Sequence, residues 1–353
     1  MKIRHLATLA ALTTAAFGAS AQQASSVTLY GMADSNFGRS ETHGGVSTTG
    51  LDQVPNPRGS RFGMRGSEDL GGGMRALFQL EGAVSLTDGS TTTGNQLFNR
   101  HAWVGLSGGF GELALGRQET LHRVLNNGNY NDVATEGELS VTTSNSGLQL
   151  MQNFGTRVNQ AIRYTSPEFS GIRIRVQSAL GQRTTAGLNG ILATYNAKNI
   201  RLALAHEYYD GSGVAGIPKW NEVTTVSGQY DMGAATIALG YQMTDKLSTA
   251  TSGTSLPTNA AVLPEHTAYN IGLIYRVTQP LSLRVQYTQS TTKTPASGTT
   301  AASSRDYTRL GLSARYSMSS RTYLYAAYNE RDVDVPTATA NKNSMGLGIS
   351  HSF

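Results

Sequence analysis

Apolar and polar residues alternate one by one along most of this chain, in runs of about ten residues broken by turns. Leu281, Leu283, Val285 and Tyr287 alternate with Ser282, Arg284, Gln286 and Thr288. Ile237, Leu239, Tyr241 and Met243 alternate with Thr236, Ala238, Gly240 and Gln242, and Leu310, Leu312, Ala314 and Tyr316 with Arg309, Gly311, Ser313 and Arg315. A period of two marks a strand with one apolar and one polar face. Sixteen such strands are predicted, at 27–39, 60–69, 74–86, 98–107, 112–117, 157–166, 172–177, 190–197, 200–209, 222–232, 235–244, 267–277, 281–290, 306–318, 321–331 and 343–353.

The connections alternate as well. Tight turns at Leu70-Gly71-Gly72-Gly73, Gly108-Gly109-Phe110-Gly111, Lys198-Asn199, Gly233-Ala234 and Ser319-Ser320 take turns with long polar loops such as 40–59 and 87–97. A meander of this kind puts every short turn on one rim and every long loop on the other, as outer-membrane barrels do. A soluble sandwich does not sort its loops in this way. With the apolar faces inside, sixteen strands would enclose a wide apolar space that nothing in the sequence fills. With those faces toward lipid, the polar faces line a water-filled lumen and closure leaves no unpaired edge in the bilayer. Tyr30, Tyr164, Tyr230, Tyr241, Tyr275, Tyr287, Tyr316 and Tyr328 fall near strand ends, where interfacial girdles need a ring with a polar tip. The last strand is expected to close against the one beginning at Val27.

One stretch breaks the rhythm. From Gln118 to Thr156 neither period is visible, and the segment carries Glu119, Asp132, Glu136 and Glu138. A connection of that length inside a compact architecture is either functional or disordered.

Composition narrows the classes. Residues 1–21 have a basic head at Lys2 and Arg4, a short apolar core and Ala19-Ser20-Ala21, the three parts of a cleaved export signal. Removing them leaves 353 − 21 = 332 residues, and losing Lys2 and Arg4 takes the net charge from +5 to +3. Cysteine is absent, which excludes disulfides, thiolate metal sites and a Cys nucleophile. The 40 glycines and 16 tyrosines, with only 14% charged residues, suit a barrel of modest hydropathy. Gly105-Leu106-Ser107-Gly108-Gly109 formally matches a nucleophile elbow, but it sits at a hairpin and not at a strand-to-helix turn. The histidines show no metal-ligand spacing, no cofactor motif is present, and the basic charge is spread over strands, unlike that of nucleic-acid binders. No enzyme, metal or nucleic-acid function is expected.

Val27-Thr28-Leu29-Tyr30-Gly31, the run Ser60-Arg61-Phe62-Gly63-Met64-Arg65-Gly66-Ser67-Glu68-Asp69-Leu70-Gly71-Gly72-Gly73, Arg100-His101-Ala102-Trp103-Val104-Gly105-Leu106, Gly116-Arg117-Gln118, Tyr164-Thr165-Ser166-Pro167-Glu168-Phe169-Ser170-Gly171 and the terminal Phe353 occur in this order. Together they resemble the Gram-negative general porins, particularly the trimeric sixteen-stranded beta-proteobacterial branch. The resemblance implies an all-β fold, a sixteen-stranded antiparallel transmembrane barrel over 22–353 whose third long loop, 118–156, folds inward as a constriction. It implies a basic cluster of Arg61, Arg117 and Arg157 facing acids among Asp132, Glu136 and Glu138, and Phe353 as an assembly signal. Parity agrees for Arg61 and Arg157 and adds Arg75, whereas Arg117 shares the face of Leu113 and Leu115 and needs a bulge or kink at Gly116 to turn inward.

The implied function is passive passage of small hydrophilic solutes and ions across the cell outer membrane, by a homotrimer. Its implied partners are outer-membrane lipid, lipopolysaccharide and the insertion machinery. The net charge and faces such as Arg173 with Arg175 suggest a mild anion preference. A substrate-specific channel for a sugar or phosphate is the alternative, and it calls for an aromatic track in the lumen, at which Tyr323 and Tyr325 hint. A surface-exposed adhesive or structural β-protein is a more distant one.

Overall fold

The structure, a computed structural model, describes residues 25–54, 59–91, 96–127, 156–180, 187–210, 221–245, 265–294, 296, 301–334 and 341–353. The export signal at 1–21 lies outside them. Among the described residues seventeen strands and one helix follow in order: β1 (Ser26–Thr42), β2 (Ser47–Leu51), β3 (Arg61–Gly71), β4 (Met74–Ala83), β5 (His101–Gly108), β6 (Gly111–Glu119), α1 (Leu121–Asn127), β7 (Arg157–Thr165), β8 (Ile172–Ala179) and β9 (Gly187–Asn196). The series continues with β10 (Ile200–Asp210), β11 (Asn221–Asp231), β12 (Ala235–Asp245), β13 (Glu265–Arg276), β14 (Leu281–Thr294), β15 (Ser303–Ser317), β16 (Thr322–Val333) and β17 (Asn341–Ser352).

Sixteen of the strands form a closed antiparallel barrel in which each pairs with its neighbours in sequence. The seam joins β17 to β1 from Met32↔Ser352 to Thr42↔Asn341. Phe353 extends it, exchanging both backbone hydrogen bonds with Gly31 at 3.1 Å. A Cβ on Gly31 would stand 2.2 Å from the Phe353 ring, so the bare glycine is what lets the ring lie there.

The faces divide as the alternation requires. Leu202 and Leu204, Ile237 and Leu239, and Ile271 and Leu273 point outward and are exposed, while Gln242, Asn270, Gln286 and Thr288 point inward and are buried. In water such an outer surface would be a severe liability; in lipid it is what closure demands. Among the tyrosines expected in interfacial girdles, Tyr30 is a correction. It faces inward, where its hydroxyl donates to Glu81 at 2.9 Å.

Most strand ends differ from the sequence reading by a few residues, and three differences bear on the site. The loop predicted over 40–59 contains β2, which pairs with β1 from Phe37↔Leu51 to Glu41↔Ser47 and covers the part of that edge β3 does not reach. The strand predicted from Phe98 begins at His101. The stretch 118–156 starts as regular structure, because β6 runs on through Glu119 and α1 follows after one residue.

Candidate functional site

Two carboxylates on the barrel wall gather the arginines. Along β4 the alternation sends Phe78 and Leu80 outward and Gln79 and Glu81 inward, with Glu81 opposite Gly63 of β3 and His101 of β5. The Arg100 Nε donates to Glu81 Oε1, and Arg61 Nε stands 3.7 Å from Oε2. Both side chains of the Arg100–Glu81 pair are almost wholly buried, so the charges meet in a medium that screens them little.

Glu119 is the second centre. Its Oε1 lies 3.3 Å from Arg157 Nη2 and 3.9 Å from both His101 Nε2 and Arg123 Nε. Its carbonyl accepts from Arg163 Nη2 at 2.6 Å and from Gln177 Nε2 at 3.0 Å. Those two donors project from the inner faces of β7 and β8, so the end of β6, still paired to β7 through Glu119↔Arg157, is also gripped from the lumen side. Five arginines thus stand around two carboxylates, a formal excess of 5 − 2 = +3 with histidine neutral.

Helix α1 follows and docks on the inner face of β9 and β10. Leu121 and Leu125, one helical turn apart, are fully buried against Leu192, Ala203 and Ala205. The Glu207 carboxylate, also fully buried, accepts from the Leu121 N–H at 2.6 Å and the His122 N–H at 3.3 Å, and His122 Nδ1 lies 2.7 Å from it. A carboxylate of β10, in the wall on which the helix docks, therefore satisfies donors that a helix leaves open at its start. The described beginning of the third long loop is fixed inside the barrel.

Of the residues singled out from sequence, Arg61 and Arg157 are brought to Glu81 and Glu119. Arg117 is not. The bulge expected beside Gly116 exists, with Asn159 and Gln160 of β7 standing opposite Arg117 alone, but Arg117 still pairs with Ala102 on the outward-facing register. Its guanidinium donates to the Asn99 carbonyl at 2.8 Å and to Asn159 Oδ1 at 2.5 Å, not to a carboxylate. Arg75 faces inward near a short turn, donating to Ser67 Oγ at 2.5 Å and apart from both centres. Asp132, Glu136 and Glu138 lie outside the described residues. Glu81, Arg100, His101, Arg123 and Arg163 were not singled out, although strand parity alone puts Glu81 and Arg163 on lumen faces.

A second segment also enters the lumen. Asn36 on β1 clasps Val54, accepting from its N–H at 2.8 Å and donating to its carbonyl at 3.1 Å. Val54 packs on Tyr325 and Ala327, and Tyr325 donates to Asp34 at 2.8 Å. The Tyr325 ring is taken up by this packing and offers no sliding surface. Among the described residues no three His, Asp or Glu side chains converge as a metal site would require.

The profile of a family described as Gram-negative porin matches residues 7–335. The outer membrane porin protein 32 of Delftia acidovorans is 30% identical over 253 residues, 67% of this chain and 69% of that protein. The major outer membrane protein P.IB of Neisseria meningitidis serogroup A is 29% identical over 98% of this chain and 99% of its own. Among solved structures, an anion-selective porin from Comamonas acidovorans superposes with a TM-score of 0.73 at 23% identity, over 94% of this chain and 100% of the other. At that identity it speaks for the fold alone.

Proposed function

The chain belongs to the Gram-negative porins, and on that premise we propose that it forms an anion-preferring passage for small hydrophilic solutes, working as a homotrimer. As a member of that family it is an outer-membrane protein with a diffusion channel through its barrel. The observation that carries the anion preference is the cluster of five arginines around Glu81 and Glu119. Their excess charge lines a lumen bounded by low-dielectric walls, which focus the field on passing ions. Asp132, Glu136 and Glu138 are the candidates for an opposing acidic rim.

Reversal potentials across a KCl gradient test this reading. Arg61→Gln together with Arg157→Gln is expected to lower the chloride-to-potassium permeability ratio severalfold, because each removes a charge from the narrow part of the path. Arg117→Gln, which removes a charge off that path, is expected to leave the ratio as it was. An unchanged ratio in the double variant would overturn the assignment.

The trimer is supported by a gap in the tyrosine girdle. Tyr164, Tyr195, Tyr230, Tyr241, Tyr269, Tyr275 and Tyr316 are outward and exposed on β7 to β15, whereas no tyrosine occurs between Tyr30 and Tyr130. The outer faces of β1 and β3 to β6 instead carry Gly31, Gly66, Gly82 and Ala102 among exposed Leu29 and Val104. Rings with polar tips anchor at headgroups, and a wall without them suits a protein neighbour. Leu29→Arg with Val104→Arg is expected to convert the native assembly to monomers in gentle detergent, as read by light scattering; an intact trimer would refute this choice of wall. Lipopolysaccharide, the insertion machinery reading Phe353, and cleavage near Ala21 complete the proposal.

A further inference from the structure

We propose that the inner wall of β1, β3, β4 and β5, just on the short-turn side of the constriction, holds a subsite for small aromatic carboxylates. The aromatic body would lie on Trp103 and Leu77 and the carboxylate on Arg65. The inference rests on the channel reading above, since the site lies on the solute path.

A water-filled wall gains nothing from an indole and a leucine, yet Trp103 and Leu77 both face inward here and neither is fully buried. Trp103 is held in place by a chain of hydrogen bonds. Its Nε1 donates to Gln79 Oε1 at 3.2 Å, Gln79 Nε2 donates to the Tyr30 hydroxyl at 2.6 Å, and that hydroxyl donates to Glu81 at 2.9 Å. Two aromatic rings are thereby tied to the carboxylate that anchors Arg61 and Arg100. Rings fixed in advance lose little freedom when a planar ligand stacks on them.

Arg65 supplies the charge. It is exposed, its guanidinium carbon lies 5.1 Å from the Tyr30 ring centroid, and it has no carboxylate partner among the described residues. In the sheet register Arg65 faces Gln79, which faces Trp103, so the guanidinium and the indole rise from positions about 10 Å apart, two strand spacings. That separation suits one aromatic ring carrying a carboxylate. Glu81, the nearest inward acid on β4, is already neutralised by its two arginines. Three other inward tyrosine rings are less available: Tyr325 is covered by Val54, Tyr323 packs against the same cluster with Arg315 4.0 Å over its ring, and Tyr307 is packed against Val333.

The test uses the purified protein in planar bilayers, with block of the KCl current by benzoate compared with acetate and with benzamide. Benzoate is expected to block at concentrations at least about tenfold below those of either, because only it has both the ring and the charge. Arg65→Gln should weaken the benzoate effect about tenfold and Arg65→Lys less, and Trp103→Leu should weaken it severalfold. In parallel, Trp220→Phe leaves Trp103 as the sole tryptophan, and 4-nitrobenzoate should quench it saturably in detergent unless Arg65 is also replaced. Equal block by benzoate and acetate, or block and quenching indifferent to Arg65, would overturn the proposal. If Trp103→Leu does not fold, the two Arg65 variants decide alone. A protein giving no KCl steps would instead sink the channel reading, while the quenching titration would still report on the site.

Discussion

Glu119→Gln is expected to make the barrel less stable by about 3–5 kcal/mol and more selective for anions at the same time. The carboxylate lies within 4 Å of Arg157, Arg123 and His101, and it is almost completely shielded from solvent. Breaking a buried charge pair from one side costs far more than the pair contributes, because the remaining charges stay buried without compensation. The carbonyl of residue 119 would still accept from Arg163 and Gln177, so the end of β6 should stay in place and the pore should still form. The formal excess around the two centres would rise from +3 to +4. Urea unfolding followed by heat-modifiable electrophoretic mobility measures the first effect, and reversal potential the second. A variant as stable and as selective as the parent would show that the cluster in solution is not organised around Glu119.

The second large effect is expected at Glu207. Its carboxylate receives two backbone N–H groups at the start of α1 and sits beside the His122 ring, all in a buried setting. Glu207→Ala would leave those groups without an acceptor, at about 1–3 kcal/mol each. A helix of seven residues cannot hold itself in water, so its position depends on this carboxylate and on the packing of Leu121 and Leu125. Single-channel recordings of Glu207→Ala are expected to show a larger mean conductance and frequent flicker between levels. Leu125→Ala, which removes buried packing worth about 2–5 kcal/mol, should give the same phenotype by an independent route. Quiet, unaltered steps in both variants would mean that α1 does not shape the passage.

These elements also show how far the sequence carries. The strands were legible because each has one face in lipid and one in a polar lumen, and a period of two survives wherever both environments are uniform. It failed where the environments change. Leu121 and Leu125 stand at helical spacing, but two leucines in a polar stretch are too weak a signal without β9 and β10 to receive them. Phe37 and Leu51 pair across β1 and β2, yet a five-residue strand in a Gly- and Thr-rich loop has too few positions to show a period.

The candidate site was legible in part for a related reason. Arg61 and Arg157 were implied by the family resemblance and parity agreed with it, and parity alone also puts Glu81 on the lumen face. Arg117 illustrates the opposite case. Its motif suggested the lumen, its parity with Leu113 and Leu115 the outside, and the register keeps it opposite Ala102. Glu119 could not have been placed by either rule, because the register shift between Gly116 and Gln118 breaks the parity ahead of it and its carbonyl is held by Arg163 and Gln177 from other strands.

The seam between β1 and β17 carries a consequence for how the protein comes into being. Met32 and Ser352 are partners although 352 − 32 = 320 residues separate them. Every other barrel pairing joins strands that are neighbours along the chain. Bringing such distant ends together costs roughly 3 kcal/mol more in chain entropy than closing a ten-residue hairpin, since the cost grows with the logarithm of the separation. The seam is therefore the pairing most disfavoured early, and folding should pass through open sheets bearing two bare edges before one late, cooperative step removes both. Resistance to proteases and detergent should consequently appear all at once, and not strand by strand.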